Sequence, residues 1–230
     1  MTLGSPLAQM QNFFTFYNAE FLLGAMLTTL LLSALGCGIG LVVGFGLAVV
    51  RRMRGAASAP LRVVAILFVE LFRRIPFLVT LFFTFYATQI AGFDASLFSI
   101  ATISVCVIAT AYLSEIVRAG LDSVHPNQWD SAAVANFTLM QTLRIVVIPQ
   151  AWKVVIPPAF GFFLLFIKDS ALASQIGLVE LTYAGRALNN RGFAPILSFG
   201  SILLLYFALS YPLTLLGRRL EARLAGSRHH

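Results

Sequence analysis

Apolar residues fill long, nearly unbroken stretches of this chain, and polar residues gather in short patches between them. A helix needs roughly 20 apolar residues to cross a bilayer. Five stretches meet or approach that length: span 1 over 20–50, span 2 over 61–91, span 3 over 96–120, span 4 over 156–171 and span 5 over 195–216. The pattern predicts an all-α membrane protein, since a barrel would instead show short alternating segments. The longest interruption is the loop 121–150, within the segment 111–150 around which the chain is organised. Pro126 can open a helix at its first turn. Trp129, Ala132, Ala133, Phe137 and Met140 then recur at helical spacing as one apolar stripe. Asn136 falls inside that stripe. Asn tolerates left-handed backbone better than other non-glycine residues, so two short helices joined at an elbow are expected here. A helix lying on lipid is rich in Lys and Arg on its polar face, and residues 126–143 contain neither. Docking into a protein groove is therefore favoured over an ordinary interfacial helix.

Composition agrees with the membrane reading. The chain is 59% hydrophobic and 11% charged, against about 25% charged in soluble domains, and its mean hydropathy is +0.87. The net charge of +7 points to basic residues retained on the cytosolic side of a membrane rather than to nucleic acid. Arg51, Arg52, Arg54 and Arg62 crowd the loop after span 1, and Arg218, Arg219, Arg223 and Arg228 follow span 5. The N-terminus is then outside and the C-terminus inside, with Arg186 and Arg191 a mild exception in the polar external stretch 172–193. Residues 1–19 lack Lys and Arg, which argues against a cleaved signal peptide. Phe13, Phe14, Phe16 and Tyr17 predict a short interfacial helix before span 1. His229 and His230 close a tail, 221–230, that reads as carrying a tag remnant.

Within the spans, Gly36, Gly40 and Gly44 lie on one helical face and would let a neighbouring backbone approach closely. Glu70, Arg73 and Arg74 lie well inside span 2, with Glu70 roughly 15 Å from its inner end. Such charges face a partner or a wet cavity, and Glu70 is spaced to pair with Arg73 and Arg74. A structural ion pair and a charge lining a transport path both fit. Pro76 can kink the helix there. Glu115 and Arg118 read as a local ion pair, and Pro149, Pro157 and Pro158 predict an irregular entry to span 4. Cys37 and Cys106 read as inert apolar fillers. No P-loop, nucleophile elbow or metal-ligand spacing is present, so there is no catalytic or metal site.

With these residues in view the chain resembles the permease subunit of polar amino acid ABC importers, the histidine/glutamine/arginine/opine type. Such permeases carry a cytosolic signature, the EAA motif, close to Gly-Gln-Trp-Glu-Ala-Ala-(three residues)-Gly and ending later in Ile/Leu-Pro-Gln. Here it reads Asn127-Gln128-Trp129-Asp130-Ser131-Ala132, then Asn136, and ends in Ile148-Pro149-Gln150. Four more family patterns follow in order: Gly24 to Ser33, Glu70 to Val79, Ala111 to Gly120, and Ile167 to Leu181. The signature Glu is Asp130, the Ala after it is Ser131, and the Gly is Asn136. The common Arg-Gly-Thr-Pro is Arg73-Arg74-Ile75-Pro76, and the added charge leaves the usual substrate assignment open.

The resemblance implies a type I ABC importer fold over 20–220, in the bacterial inner membrane. It implies two ATP-binding subunits, a second permease copy or relative, and a periplasmic or lipid-anchored substrate-binding protein. It implies no cofactor in this chain, ATP and Mg belonging to the ATPase. Coupling to that ATPase would run through Gln128, Trp129, Asp130, Ser131, Ala132, Ala133, Asn136, Phe137 and Met140. The substrate path would pass Glu70, Arg73, Arg74, Lys168 and Asp169. A secondary transporter and a membrane scaffold or channel are the competing classes. A secondary transporter would need no docking element and would follow an ion gradient, and a scaffold or channel would show no ATP dependence either.

Overall fold

A computed structural model describes residues 6–53 and 55–226, so the tag remnant read at His229 and His230 lies outside it. Among the described residues every regular element is helical. The elements are α1 (Pro6–Phe13), α2 (Phe16–Arg52), α3 (Ala59–Phe72), α4 (Phe77–Ile90) and α5 (Leu97–Asp122). Then come α6 (Pro126–Val134), α7 (Leu139–Gln141), a π-helical turn (Thr142–Val147), α8 (Ile148–Asp169), a 3-10 turn (Ser170–Ile176), α9 (Leu181–Asn190) and α10 (Pro195–Gly226). Among the described residues four helical stretches are long and apolar enough to cross a membrane: α2, α5, the continuous run Leu139–Ile176 and α10. At 1.5 Å per residue α2 alone is roughly 55 Å long, well beyond a ~30 Å hydrocarbon core.

Two spans differ from the sequence expectation. Span 2 is not one kinked helix. It breaks between Phe72 and Phe77, leaving α3 and α4 at 14 residues each. Pro76 lacks an N–H, and its ring disfavours helical backbone at Ile75. Span 4 is longer than 156–171, because helical backbone runs on from Leu139. Its irregularity falls before the prolines, in the π turn, where the Ile148 N–H reaches back to Leu143. Pro157 and Pro158 are accommodated inside α8.

The chain divides into two compact units. One comprises 1–36, 77–105 and 164–214. Its core joins Phe13, Leu22 and Ala25 to Leu181, Ala184, Leu188 and Ile202. The Phe13 ring meets Phe193 edge-on at 5.2 Å, and Asn18 donates to the carbonyl of Phe13 at 3.0 Å, which ties α1 to the start of α2. Of the four aromatics expected at an interface, Phe13 is buried while Phe14, Phe16 and Tyr17 are exposed. Thr29 and Ser33 are fully buried, and both are hydrogen-bonded there, as most buried polar groups are. The Thr29 hydroxyl accepts from the N–H of Leu181 at 3.2 Å, and Ser33 donates to Phe166. Glu180 caps α9, its carboxylate accepting from the N–H groups of Thr182 and Tyr183 at 2.9 and 2.7 Å and from the Tyr206 hydroxyl at 3.0 Å.

The second unit comprises 37–76, 106–163 and 215–230. Its core gathers Ala48, Val117, Leu121 and Val124 with Leu143, Val147, Ala151 and Val155. The small-residue face of α2 works as its spacing requires. A Cβ on Gly40 would stand 2.5 Å from that of Ala109, and one on Gly44 would stand 2.8 Å from the Ser114 nitrogen. Gly46, off that face, has open space around it.

Candidate functional site

The loop between α5 and α8 closes its own helix ends. His125 caps α6, its Nδ1 accepting from the N–H of Asn127 at 3.2 Å, and Pro126 occupies the first turn, where a missing N–H costs nothing. At the other end Asn136 adopts left-handed backbone, φ 57°. The Phe137 N–H bonds to Ala132 and the Asn136 N–H to Ala133, both at 3.0 Å. This is a Schellman closure built on Asn instead of Gly. Two residues on, Thr138 and Gln141 form a capping box, each side chain accepting from the other's N–H. The loop thus satisfies its helix ends with its own side chains and backbone.

The apolar stripe divides between two surroundings. Ala132 is buried and Trp129 half-buried, and Trp129 packs on the unit's own core. Phe137 and Met140 face outward, and so does Val134, which is 84% exposed. Gln128, Asp130, Ser131, Ala133 and Asn136 are exposed as well. Val134 is a surface residue that the stripe did not single out. Helical spacing groups the apolar positions but does not say which of them the chain covers itself. Beside the stripe lies a groove of about 440 Å³ walled by Arg52, Met53, Trp129, Asp130, Phe137 and Leu139. The two ends of the signature meet, because the Gln150 amide donates to the Gln128 side chain at 3.4 Å and to the Val146 carbonyl at 2.8 Å.

The charges predicted inside span 2 separate. Glu70 pairs with Arg74 at 2.7 Å, both substantially exposed. Arg73 does not join them. It approaches Glu115 of α5 at 3.9 Å and lies over the Tyr112 ring at 5.8 Å, with its Nε buried and unpartnered. Glu115 is thus more than half of a local pair with Arg118. It also accepts from Arg51 at 2.8 Å. Asp122 receives both Arg118 and Arg52. Arg51, Arg52, Arg73 and Arg118 therefore share two carboxylates, an excess of positive charge suited to an anionic group. Lys168, exposed, and Asp169, half-buried, belong to the other unit, at the end of α8.

In that first-described unit Glu180 is fully buried, and desolvation raises its carboxyl above the ordinary value, opposed by the two N–H bonds, Tyr206 and the charge of Arg186. Arg186 itself donates to the Ser174 carbonyl at 2.7 Å. Cys37 and Cys106 are free thiols. Among the described residues no group of three His, Cys, Asp or Glu side chains is placed to hold a metal ion.

Comparison with known proteins places these features in a family. The sequence pattern of the binding-protein-dependent transport system inner membrane component matches residues 38–226. A probable glutamine ABC transporter permease protein of Bacillus subtilis (strain 168) is 33% identical over 192 residues, covering 80% of this chain and 87% of its own. An L-cystine transport system permease protein of the same organism is 32% identical, covering 87% and 85%. In structure, the chain superposes on a crystal structure of an amino acid ABC transporter with histidines. The TM-score is 0.82 at 26% identity, covering 97% of this chain and 100% of that one.

Proposed function

The chain belongs to the family of binding-protein-dependent transport system inner membrane components, and from that premise we propose that it is the permease subunit of an ATP-driven importer of a polar amino acid or amino-acid-like solute. It works beside a second permease subunit, two ATP-binding subunits and an external substrate-binding protein. ATP and Mg reside in the ATP-binding subunits. Their closure on ATP moves the loop 126–140, and the spans turn from inward- to outward-facing. Named relatives act on glutamine and on cystine at nearly equal identity. The solute class is therefore zwitterionic, and identity alone does not single out one member.

One observation carries the coupling reading. A self-capped element exposes Val134, Phe137 and Met140 together, on a stretch with no Lys or Arg. An exposed apolar face of that kind is a protein-binding surface rather than a lipid-headgroup one. Gln128, Asp130 and Ser131 are exposed polar residues of the same helix. Arg73 is the group suited to a substrate carboxylate, through charge-assisted bonds. Glu70 and Arg74, in the same unit, complete this part of the proposed path.

The test is co-purification with the cognate ATPase subunit. Val134→Asp and Met140→Asp place a charge on the exposed face without touching the core, and each is expected to abolish the complex while the permease still folds. Retention of the ATPase by both variants would overturn the docking assignment. Calorimetric titration of an amino acid panel into the cognate binding protein identifies the solute.

A further inference from the structure

Arg52 is the last residue of α2, and its guanidinium lies 4.2 Å from the centroid of the Trp129 ring in α6. A cation at that distance over an indole face is held by the ring quadrupole, and Trp is the strongest aromatic partner. The same guanidinium pairs with Asp122, the last residue of α5. Asp122 also holds Arg118, Arg118 holds Glu115, and Glu115 returns to Arg51, the neighbour of Arg52 on α2. A closed ring of ion pairs thus joins the ends of α2 and α5, and Trp129 is attached to that ring through Arg52. The Trp129 indole N–H is buried without an acceptor, so no hydrogen bond competes with the stacking geometry.

We infer that Arg52 is the positioning residue that fastens the coupling helix α6 to the ends of α2 and α5, so that these three elements move as one body when the loop is displaced. This rests on the reading of 126–140 as the ATPase-docking element, but the clamp itself is a property of the permease. Without Arg52, α6 keeps its short connection to α5, the packing of Trp129 on the unit's core and the Gln128–Gln150 contact to α8, but loses its bond to the ring of ion pairs. A push on Val134 would then tilt α6 against α2 instead of carrying α2 with it. Arg is suited to the role because its planar fork presents one face to the indole while its edge bonds the carboxylate. Lys retains the cation but has no flat face to stack.

Spin labels at Gly46→Cys, where a side chain has open space, and at Asn127→Cys, which is exposed, report the distance between α2 and α6 in a Cys37→Ala, Cys106→Ala background. The full-length permease is measured in nanodiscs, alone and assembled with its ATPase, without nucleotide and with a non-hydrolysable ATP analogue. With Arg52 present the distance distribution is expected to stay narrow and unmoved by nucleotide. Arg52→Met is expected to broaden it about twofold and to make it respond to nucleotide, and Arg52→Lys to restore most of the narrow distribution. A distance that shifts with nucleotide while Arg52 is intact would overturn the inference, as would an unchanged distribution in Arg52→Met. Failure of the ATPase to assemble would sink the docking reading alone, because the permease measured without it still reports on the clamp.

Discussion

The Tyr112 hydroxyl donates to the backbone carbonyl of Arg73 at 3.0 Å, across 39 positions of sequence. That carbonyl sits where α3 stops, and carbonyls at a helix end lack an intrahelical donor. The Tyr112 ring meanwhile stacks on Phe162 at 5.3 Å. One side chain therefore braces the broken span against both α5 and α8. Tyr112→Phe keeps the stacking and removes only the bond. The expected loss is about 1 kcal/mol, read as a lowered thermal midpoint in nanodiscs. An unchanged midpoint would show that the break needs no such support.

Gly44 and Gly46 are two residues apart on α2 but meet different surroundings. Gly44→Ala drives a methyl against the backbone of Ser114 and Thr110, and should destabilise by roughly 1–3 kcal/mol. Gly46→Ala meets nothing within 4 Å, and should gain up to about 1 kcal/mol of helix propensity. Thermal unfolding of the two variants side by side checks the contrast, which a uniform glycine effect would erase.

Asn136 carries the elbow at φ 57°. Left-handed backbone costs a residue with a Cβ on the order of 1–2 kcal/mol, less for Asn. Asn136→Gly should be neutral or slightly stabilising and keep ATP hydrolysis dependent on the binding protein. Asn136→Val should lose about 1–2 kcal/mol and, with the Schellman closure gone, hydrolyse ATP without that dependence. Normal dependence in the Val variant would remove the elbow from the coupling argument.

Glu180 makes a pH prediction with a definite sign. Its native pKa lies above the unfolded value, about 4.3 for an unperturbed Glu, because burial outweighs its donors. Between those two values the native state binds more protons than the unfolded one, so stability falls as pH rises through the window. It is fully present below the unfolded pKa. The neutral Glu180→Gln variant keeps an acceptor oxygen for the cap and should lose this slope. Parallel unfolding midpoints for the two proteins across the acid range would contradict the assignment.

Much of the architecture could be read from the residues themselves. The runs that became α2, α5 and α10 are long and apolar enough to announce a membrane span, and the Gly40–Gly44 face met Ala109 and Ser114 as its spacing demanded. Asn136 announced its turn through its own side chain. What stayed hidden depends on contacts distant in sequence. Arg73 has Glu70 and Arg74 beside it, yet its nearest carboxylate is Glu115. Trp129 and Ala132 share a stripe with Phe137 and Met140, but Trp129 packs on the core of Leu121, Leu143 and Val147 and Ala132 is buried, while Phe137 and Met140 stay exposed. The break in span 2 was masked because Ile75 and Phe77 continue the hydrophobic run past Pro76. Hydropathy reports where lipid can lie, not where backbone bonds fail.

The π turn at Thr142–Val147 sets the phase between the loop and the membrane. A helix advances about 100° per residue, and a π turn holds one residue more than the α-helix it interrupts. Excising a single residue there would let α7 run smoothly into α8 with little net rotation, because the wider turn absorbs its extra residue instead of advancing the helix by it. A residue added beside the turn, in regular α-helix, has no such slack. It would swing Thr138, the elbow and the exposed apolar side chains by about 100° around the α8 axis, with every internal bond of the loop still made.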